Sequence, residues 1–300
     1  MPHLQNLTRI QKAVTRRTDC LSLLPLVTTK ERCRMLATFT VILCLFAITF
    51  HELGHAYAMY RCGVPIERIG LLGVPVKGVP FLKKDFTLNG NVTRFEIHPL
   101  IIGAFVKEKD GSLDLQSVLN RVYIFGAGPL VNILYAAVLF SISGIRIPTA
   151  TLWGQEIWLL GWMPAIAIAT FLFFKPLCRF VVPTLGLVML VSLAAALLLS
   201  ENPQESVAGP VTLIHILGNG YAKMEPFGIF ATTFIAGIFS LLIGISNTLP
   251  FVPLDGGRIF HTYLEKIGPH AGQWFFRFSF VLFLALVFLA LSNDFMTLIS

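Results

Sequence analysis

The chain has 300 residues, of which 55% are hydrophobic and only 13% are charged, and its mean hydropathy is +0.74. A soluble domain carries about 25% charged residues, so there is too little polar surface here to coat a globule; disorder, a collagen repeat and a disulfide scaffold are excluded as well, and the chain belongs in a bilayer. The net charge of +7 points to no nucleic-acid partner, because the Lys and Arg residues sit between long apolar runs and read as juxtamembrane charges that set orientation and touch anionic lipid.

Residues 1–36 form a polar, basic arm with no strong apolar period. A cleaved signal peptide is not expected, since the apolar stretch that follows ends in His-Glu-Leu-Gly-His and the basic region before it is too long. A membrane-spanning helix needs about 20 mostly apolar residues. Uncharged stretches at Met35–Phe50, Val122–Ile145, Ile157–Phe174, Phe180–Ser200, Pro226–Leu254 and Phe278–Asn293 predict six spans. The first continues through Tyr60 and so carries His51, Glu52 and His55 inside it. The pair over 157–200 is interrupted by Pro164, Pro176 and Pro183. Trp153, Trp158, Trp162 and Trp274 read as interfacial anchors.

Between the first two spans, Arg61–Asn120 is the largest segment of soluble character. Asn89-Gly90 signals a hairpin, and beyond it Thr93, Phe95 and Ile97 alternate with Arg94, Glu96 and His98, the period of a half-buried strand. With Val64–Val76 this predicts a small sheet lying against the membrane. Residues 201–225 read as an interfacial segment leading into the fifth span. The fold class expected is an all-α polytopic membrane protein of about six helices with a small membrane-associated β-hairpin or sheet. Placing the 61–121 loop in the cytoplasm puts most Lys and Arg inside, although the basic arm then lies outside.

The chemistry is concentrated in His51-Glu52-Leu53-Gly54-His55. On an α-helix, residues four apart lie about 40° apart around the axis and roughly 6 Å along it, so both imidazoles can meet one ion with Glu52 beside them. Helices of the HExxH pattern bind Zn²⁺ through the histidines and use the glutamate as general base. Two His and a Glu at the edge of an apolar run are costly unless paired or metal-bound; a capping role at the interface explains their polarity but not their spacing. A catalytic zinc needs a third protein ligand. Glu67, Glu96 and His98 are near in sequence; Asp255, in Asn247-Thr248-Leu249-Pro250-Phe251-Val252-Pro253-Leu254-Asp255-Gly256-Gly257, is the distant alternative and follows a long uncharged run. The five cysteines, Cys20, Cys33, Cys44, Cys62 and Cys178, include no CxxC pair and supply no zinc site.

The HExxH segment and the Asn247–Gly257 segment together resemble the signature pair of the site-2 protease family of intramembrane zinc metalloproteases. Phe125–Asn132 resembles the Gly-Pro-Asn motif of that family's second core span. His98-Pro99 through Lys107 is similar to its membrane-associated β-loop, and Leu291–Phe295 matches near the end. The likeness is strongest to the bacterial branch that cleaves membrane-anchored sigma-factor inhibitors. It implies one Zn²⁺ per chain held by His51, His55 and Asp255, Glu52 as general base, and Asn247 as a contact to unwound substrate backbone. It also implies single-pass membrane proteins or signal-peptide remnants as substrates, and a bacterial inner membrane as location. The chain then divides into the arm at 1–36, a first protease core half at 37–146, two extra spans at 147–206 and a second core half at 207–300. Those extra spans stand where the branch inserts PDZ domains, and no CBS domain is expected. Two other readings remain: a catalytically silent relative that binds membrane proteins, which the intact Glu52 disfavours, and a metal-ion transporter, which the lack of repeated halves disfavours.

Overall fold

The computed structural model describes residues 29–71, 82–88, 90–97, 103–143, 170, 173–199 and 228–299. The chain divides into two compact units, residues 1–38 and 39–300. In hydrocarbon every backbone N–H and C=O must find its partner within the segment, so the apolar stretches form helices: α1 Thr29–Arg61, α2 Val118–Ile142, α3 Phe174–Leu199, α4 Ile229–Ser246 and α6 Pro269–Ile299, with the amphipathic α5 Asp255–Ile267 between the last two. Five of these, all but α5, hold a stretch long and apolar enough to cross a membrane. The span expected at Ile157–Phe174 and the interfacial segment at 201–225 lie almost wholly outside the described residues. Pro176 and Pro183 do not split α3; a π-helical stretch at Leu177–Val181 absorbs them, and α3 runs on. Pro129 likewise sits inside α2 without ending it.

The sheet expected in the 61–120 loop is present, with four strands: β1 Ile66–Leu71, β2 Leu82–Leu88, β3 Asn91–Ile97 and β4 Phe105–Glu108, in the order β2-β3-β1-β4. β2 and β3 form the antiparallel hairpin, Leu88 opposite Asn91, with Gly90 at φ +77° in the turn. β1 runs parallel to β3 and antiparallel to β4. Thr93 is fully buried and its hydroxyl donates to the Ile66 carbonyl at 2.9 Å, tying β3 to β1. The alternation differs from expectation at Glu96, which is buried. Glu96 and Phe105 both pair with Gly70, so all three share one face. The Phe105 ring fills the space where a Gly70 side chain would be and covers that face. Val64, Ile66 and Ile69 carry the sheet onto the end of α1 and the start of α2 through Ala56, Met59, Val122 and Tyr123.

The second difference concerns the run Pro226–Leu254. The membrane helix within it stops at Ser246, and Asn247–Leu254 is a folded turn. Asp255 therefore opens α5 instead of closing a membrane span. Pro250 and Pro253 explain the break, since neither can donate a helical hydrogen bond.

Candidate metal centre

His51 and His55 lie one turn apart on α1 and face the middle of α2. The His55 Nδ1–H donates to the Ile124 carbonyl at 2.7 Å, which sets Nε2 toward His51 Nε2, 3.1 Å away, and against Gly128 of α2. The third participant arrives from 200 residues downstream. Asp255 Oδ2 lies 2.9 Å from His51 Nε2 and 3.3 Å from His55 Nε2. All three side chains are buried. Burial by itself would raise the Asp255 carboxyl, but His55 and His51 beside it prevail and hold it below the ordinary carboxylate range.

Local sequence explains how Asp255 reaches this place. The Gly256 N–H donates to the Asn247 carbonyl at 2.7 Å, and the Leu254 N–H to Phe251 at 2.7 Å, so the turn folds back on the first turn of α5. A Cβ on Gly256 would run into the Thr248 carbonyl, and one on Gly257 into the Phe251–Val252 backbone. The Asp-Gly-Gly triplet is thus one acid presented by two residues that must lack side chains. A carboxylate in the first turn of α5 also sits favourably at the positive end of the helix dipole.

These residues fit a zinc ion. One ligand atom from each of His51, His55 and Asp255 lies within 4.8 Å of the others. With zinc bonds of about 2.0–2.2 Å to N and O, ligand atoms of a tetrahedron stand roughly 3.3 Å apart, close to the separations found. The Ile124 carbonyl can only accept, so His55 carries a proton on Nδ1, and Nε2 is the nitrogen that can offer a lone pair to a metal. A carboxylate and two imidazole nitrogens converging in this way need a cation among them, a bound metal or protons on the rings. Gly128 on α2 supplies the room: a Cβ there would collide with His55 Nε2 and lie 2.7 Å from His51 Nε2.

The site opens into a cavity of about 190 Å³ lined by His51, Glu52, His55, Val106, Asn247, Asp255 and Arg258, among others. That holds several waters at about 30 Å³ each. Glu52 is half-buried and faces this space. Asn247 caps the end of α4, and its Nδ2 donates to the Ile243 carbonyl at 3.0 Å. The nearer candidates for a third ligand are placed elsewhere. Glu67 is partly exposed and pairs with Lys107 at 2.6 Å, Glu96 is buried in the sheet, and His98 lies outside the described residues. Sequence reasoning missed the part played by Gly128, which it held only within the Phe125–Asn132 motif, as well as Arg258, which follows the Asp-Gly-Gly triplet and borders the cavity. Asn132, noted only as part of a motif, stands behind His51, with Nδ2 3.1 Å from Nδ1.

Comparison with known proteins agrees with this geometry. A "Putative zinc metalloprotease" of Pasteurella multocida is 29% identical over 126 residues, 38% of this chain and 27% of the relative. The "Regulator of sigma E protease" of Haemophilus influenzae is 31% identical over 96 residues, covering 30% of this chain and 21% of the relative. "Protease RseP" of Yersinia pestis is 30% identical over 112 residues, covering 35% and 24%. The chain thus spans about a quarter of the length of the curated relatives it matches. The sequence pattern of Peptidase family M50 matches residues 39–290, a range that takes in both histidines, the turn and Asp255. With five membrane-length helices and that match, the chain is an integral membrane protein belonging to peptidase family M50.

Proposed function

We propose that this protein is an intramembrane zinc endopeptidase that hydrolyses peptide bonds in or near the transmembrane segments of other membrane proteins, as part of regulated intramembrane proteolysis. The observation that carries the reading is the convergence of His51, His55 and Asp255, buried and within 4.8 Å of one another, on a membrane helix with Glu52 in the same cavity. His51, His55 and Asp255 would hold one zinc. Bound zinc supplies Lewis-acid activation of a water and stabilisation of the developing oxyanion. Glu52 takes the proton of the attacking water and returns it to the leaving amine.

A helical substrate hides its peptide bonds in its own hydrogen bonds and must unwind before attack. Two features of the cavity suit an unwound segment. β4 is an edge strand whose Val106 lines the cavity, so extended backbone can add alongside it. Asn247 spends its Nδ2 on Ile243 and has Oδ1 to accept a substrate N–H. The substrates are membrane-anchored, single-pass proteins or signal-peptide remnants, and the location is a bacterial inner membrane. The site draws His51, Glu52 and His55 from residues 37–146 and Asn247 and Asp255 from 207–300, which supports a division into two core halves, with the arm at 1–36 and the spans at 147–206 outside them.

The test is cleavage of tagged single-pass membrane segments co-reconstituted with the full chain in liposomes, with zinc content measured in parallel. Glu52→Gln should lower turnover by about 10²–10⁴-fold while retaining zinc, and Asn247→Ala should reduce cleavage without loss of zinc. A Glu52→Gln protein that cuts like wild type, or a wild type without zinc, overturns the reading.

A further inference from the structure

The two histidines are held from behind by different chemistry. His55 Nδ1 meets a backbone carbonyl, which fixes its proton there. His51 Nδ1 meets the side-chain amide of Asn132, 3.1 Å away, and an amide can either donate or accept. Asn132 is fully buried, and in the orientation with Nδ2 toward His51 its Oδ1 has no hydrogen-bond partner. An amide oxygen left in that state has lost its water and gained nothing in return. That orientation also forces the His51 proton onto Nε2, the atom 2.9 Å from Asp255 Oδ2, where it would block the lone pair a metal needs.

Turning the amide over exchanges two groups of nearly the same shape. We infer that Asn132 is the residue that sets the tautomer of His51, its Oδ1 accepting the Nδ1 proton so that Nε2 presents a lone pair to the metal; this rests on the zinc-site reading above. The reversed amide gives the oxygen a donor and leaves a lone pair on His51 Nε2 for the metal, with Nδ2 taking the position that Oδ1 held. The backbone that carries the amide is held in position, because Asn132 follows Gly128 by one helical turn and its backbone carbonyl accepts from the Ser240 hydroxyl of α4 at 2.9 Å. α2 therefore addresses both ends of one imidazole, leaving space at Nε2 with Gly128 and supplying an acceptor at Nδ1 with Asn132. Partners of this kind behind a metal-bound histidine fix ring orientation and raise ligand basicity.

The experiment is chelator competition for zinc on the detergent-purified full chain, comparing wild type with Asn132→Leu and Asn132→Asp, with melting temperatures recorded for each. Asn132→Leu should weaken zinc binding about 10–100-fold, and Asn132→Asp, which keeps an acceptor, should bind at least as tightly as wild type. A purely packing role predicts the reverse order, since Leu fills the site without burying a charge. Should the Leu variant fail to fold, ¹⁵N spectra of zinc-loaded wild type and Asn132→Asp labelled at histidine decide, with the His51 Nδ1 proton expected to shift downfield in the Asp variant as its acceptor becomes charged. Zinc binding unchanged in Asn132→Leu, equal losses in Leu and Asp, or a His51 Nδ1 proton indifferent to Asn132→Asp overturns the inference while leaving the zinc site standing. A wild type that takes up no zinc removes the zinc-site reading and this inference together.

Discussion

α2 and α6 are both apolar enough to span a bilayer, with mean hydropathies of 1.8 and 2.3 over their best windows, yet 67% of the first window is buried in the protein and only 6% of the second. Apolarity therefore says that a segment can live in lipid and nothing about whether it lies inside the protein. Between helices in lipid there is no hydrophobic driving force, so close packing of small residues and hydrogen bonds between polar ones decide which faces turn inward. α2 carries Gly126, Gly128, Asn132 and Ala136 among its buried residues, and it touches α1, α4 and α5 through them and their neighbours. α6 exposes Phe278, Val281, Leu284 and Phe288 and buries few polar groups, Ser279 and Asp294 among them. The inner helix organises the metal centre, and much of the outer one presents a surface to hydrocarbon.

The largest effect that would break this contrast is expected at Gly128. Ala there places a Cβ in collision with His55 Nε2 and 2.7 Å from His51 Nε2, and the helix backbone cannot retreat while Gly54 on α1 packs against the Ala127 carbonyl. Gly128→Ala should cut zinc from about one per chain to little or none and abolish cleavage, read by elemental analysis and the liposome assay. An alanine variant that keeps full zinc would show that α2 does not shape the site.

How far the sequence carried depends on how local each feature is. The HExxH pairing was legible because helical periodicity alone brings His51 and His55 together. Asp255 was legible only as one of several candidates until the motif resemblance selected it, since no periodicity joins residues 200 positions apart. Its place at the start of α5 was misread because the uncharged run hides the break at Ser246, where Pro250 and Pro253 end the helix. Gly128 entered only as one residue of the Phe125–Asn132 motif: its role lies in an atom it lacks and in what stands opposite on another helix. Glu96 was assigned to an open face by alternation, which knows nothing of the Phe105 ring that lies over the neighbouring Gly70 on that face. Local pattern gave elements and one motif, and the contacts between distant elements supplied the rest.

A smaller effect is expected where α2 meets α4. The buried Ser240 hydroxyl donates to the Asn132 carbonyl at 2.9 Å, and interhelical bonds of this kind in membranes are worth about 0.6 kcal/mol and at most about 1.7 kcal/mol. Ser240→Ala should lower stability in detergent by about that amount and loosen zinc slightly through Asn132, as read by denaturant titration with zinc present and absent. A loss well beyond that range would mean that the α2–α4 contact depends on this one bond and not on the small residues beside it, where Gly244 lies against the Pro129 carbonyl.

The smallest effect is expected on α6, and its smallness is the point. Phe288 is 74% exposed, and in a bilayer that exposure is to acyl chains, in which a leucine is as much at home as a phenylalanine. Substitutions away from packed or hydrogen-bonded features usually stay within about 0.5 kcal/mol of neutral. Phe288→Leu should therefore leave melting temperature, zinc content and cleavage at wild-type values. Were it to lower stability by several times that amount, Phe288 would have to be touching protein in the native membrane. α6 would then be an inward-facing helix of a larger assembly, and its contrast with α2 would reflect a missing neighbour and not a lipid-facing role.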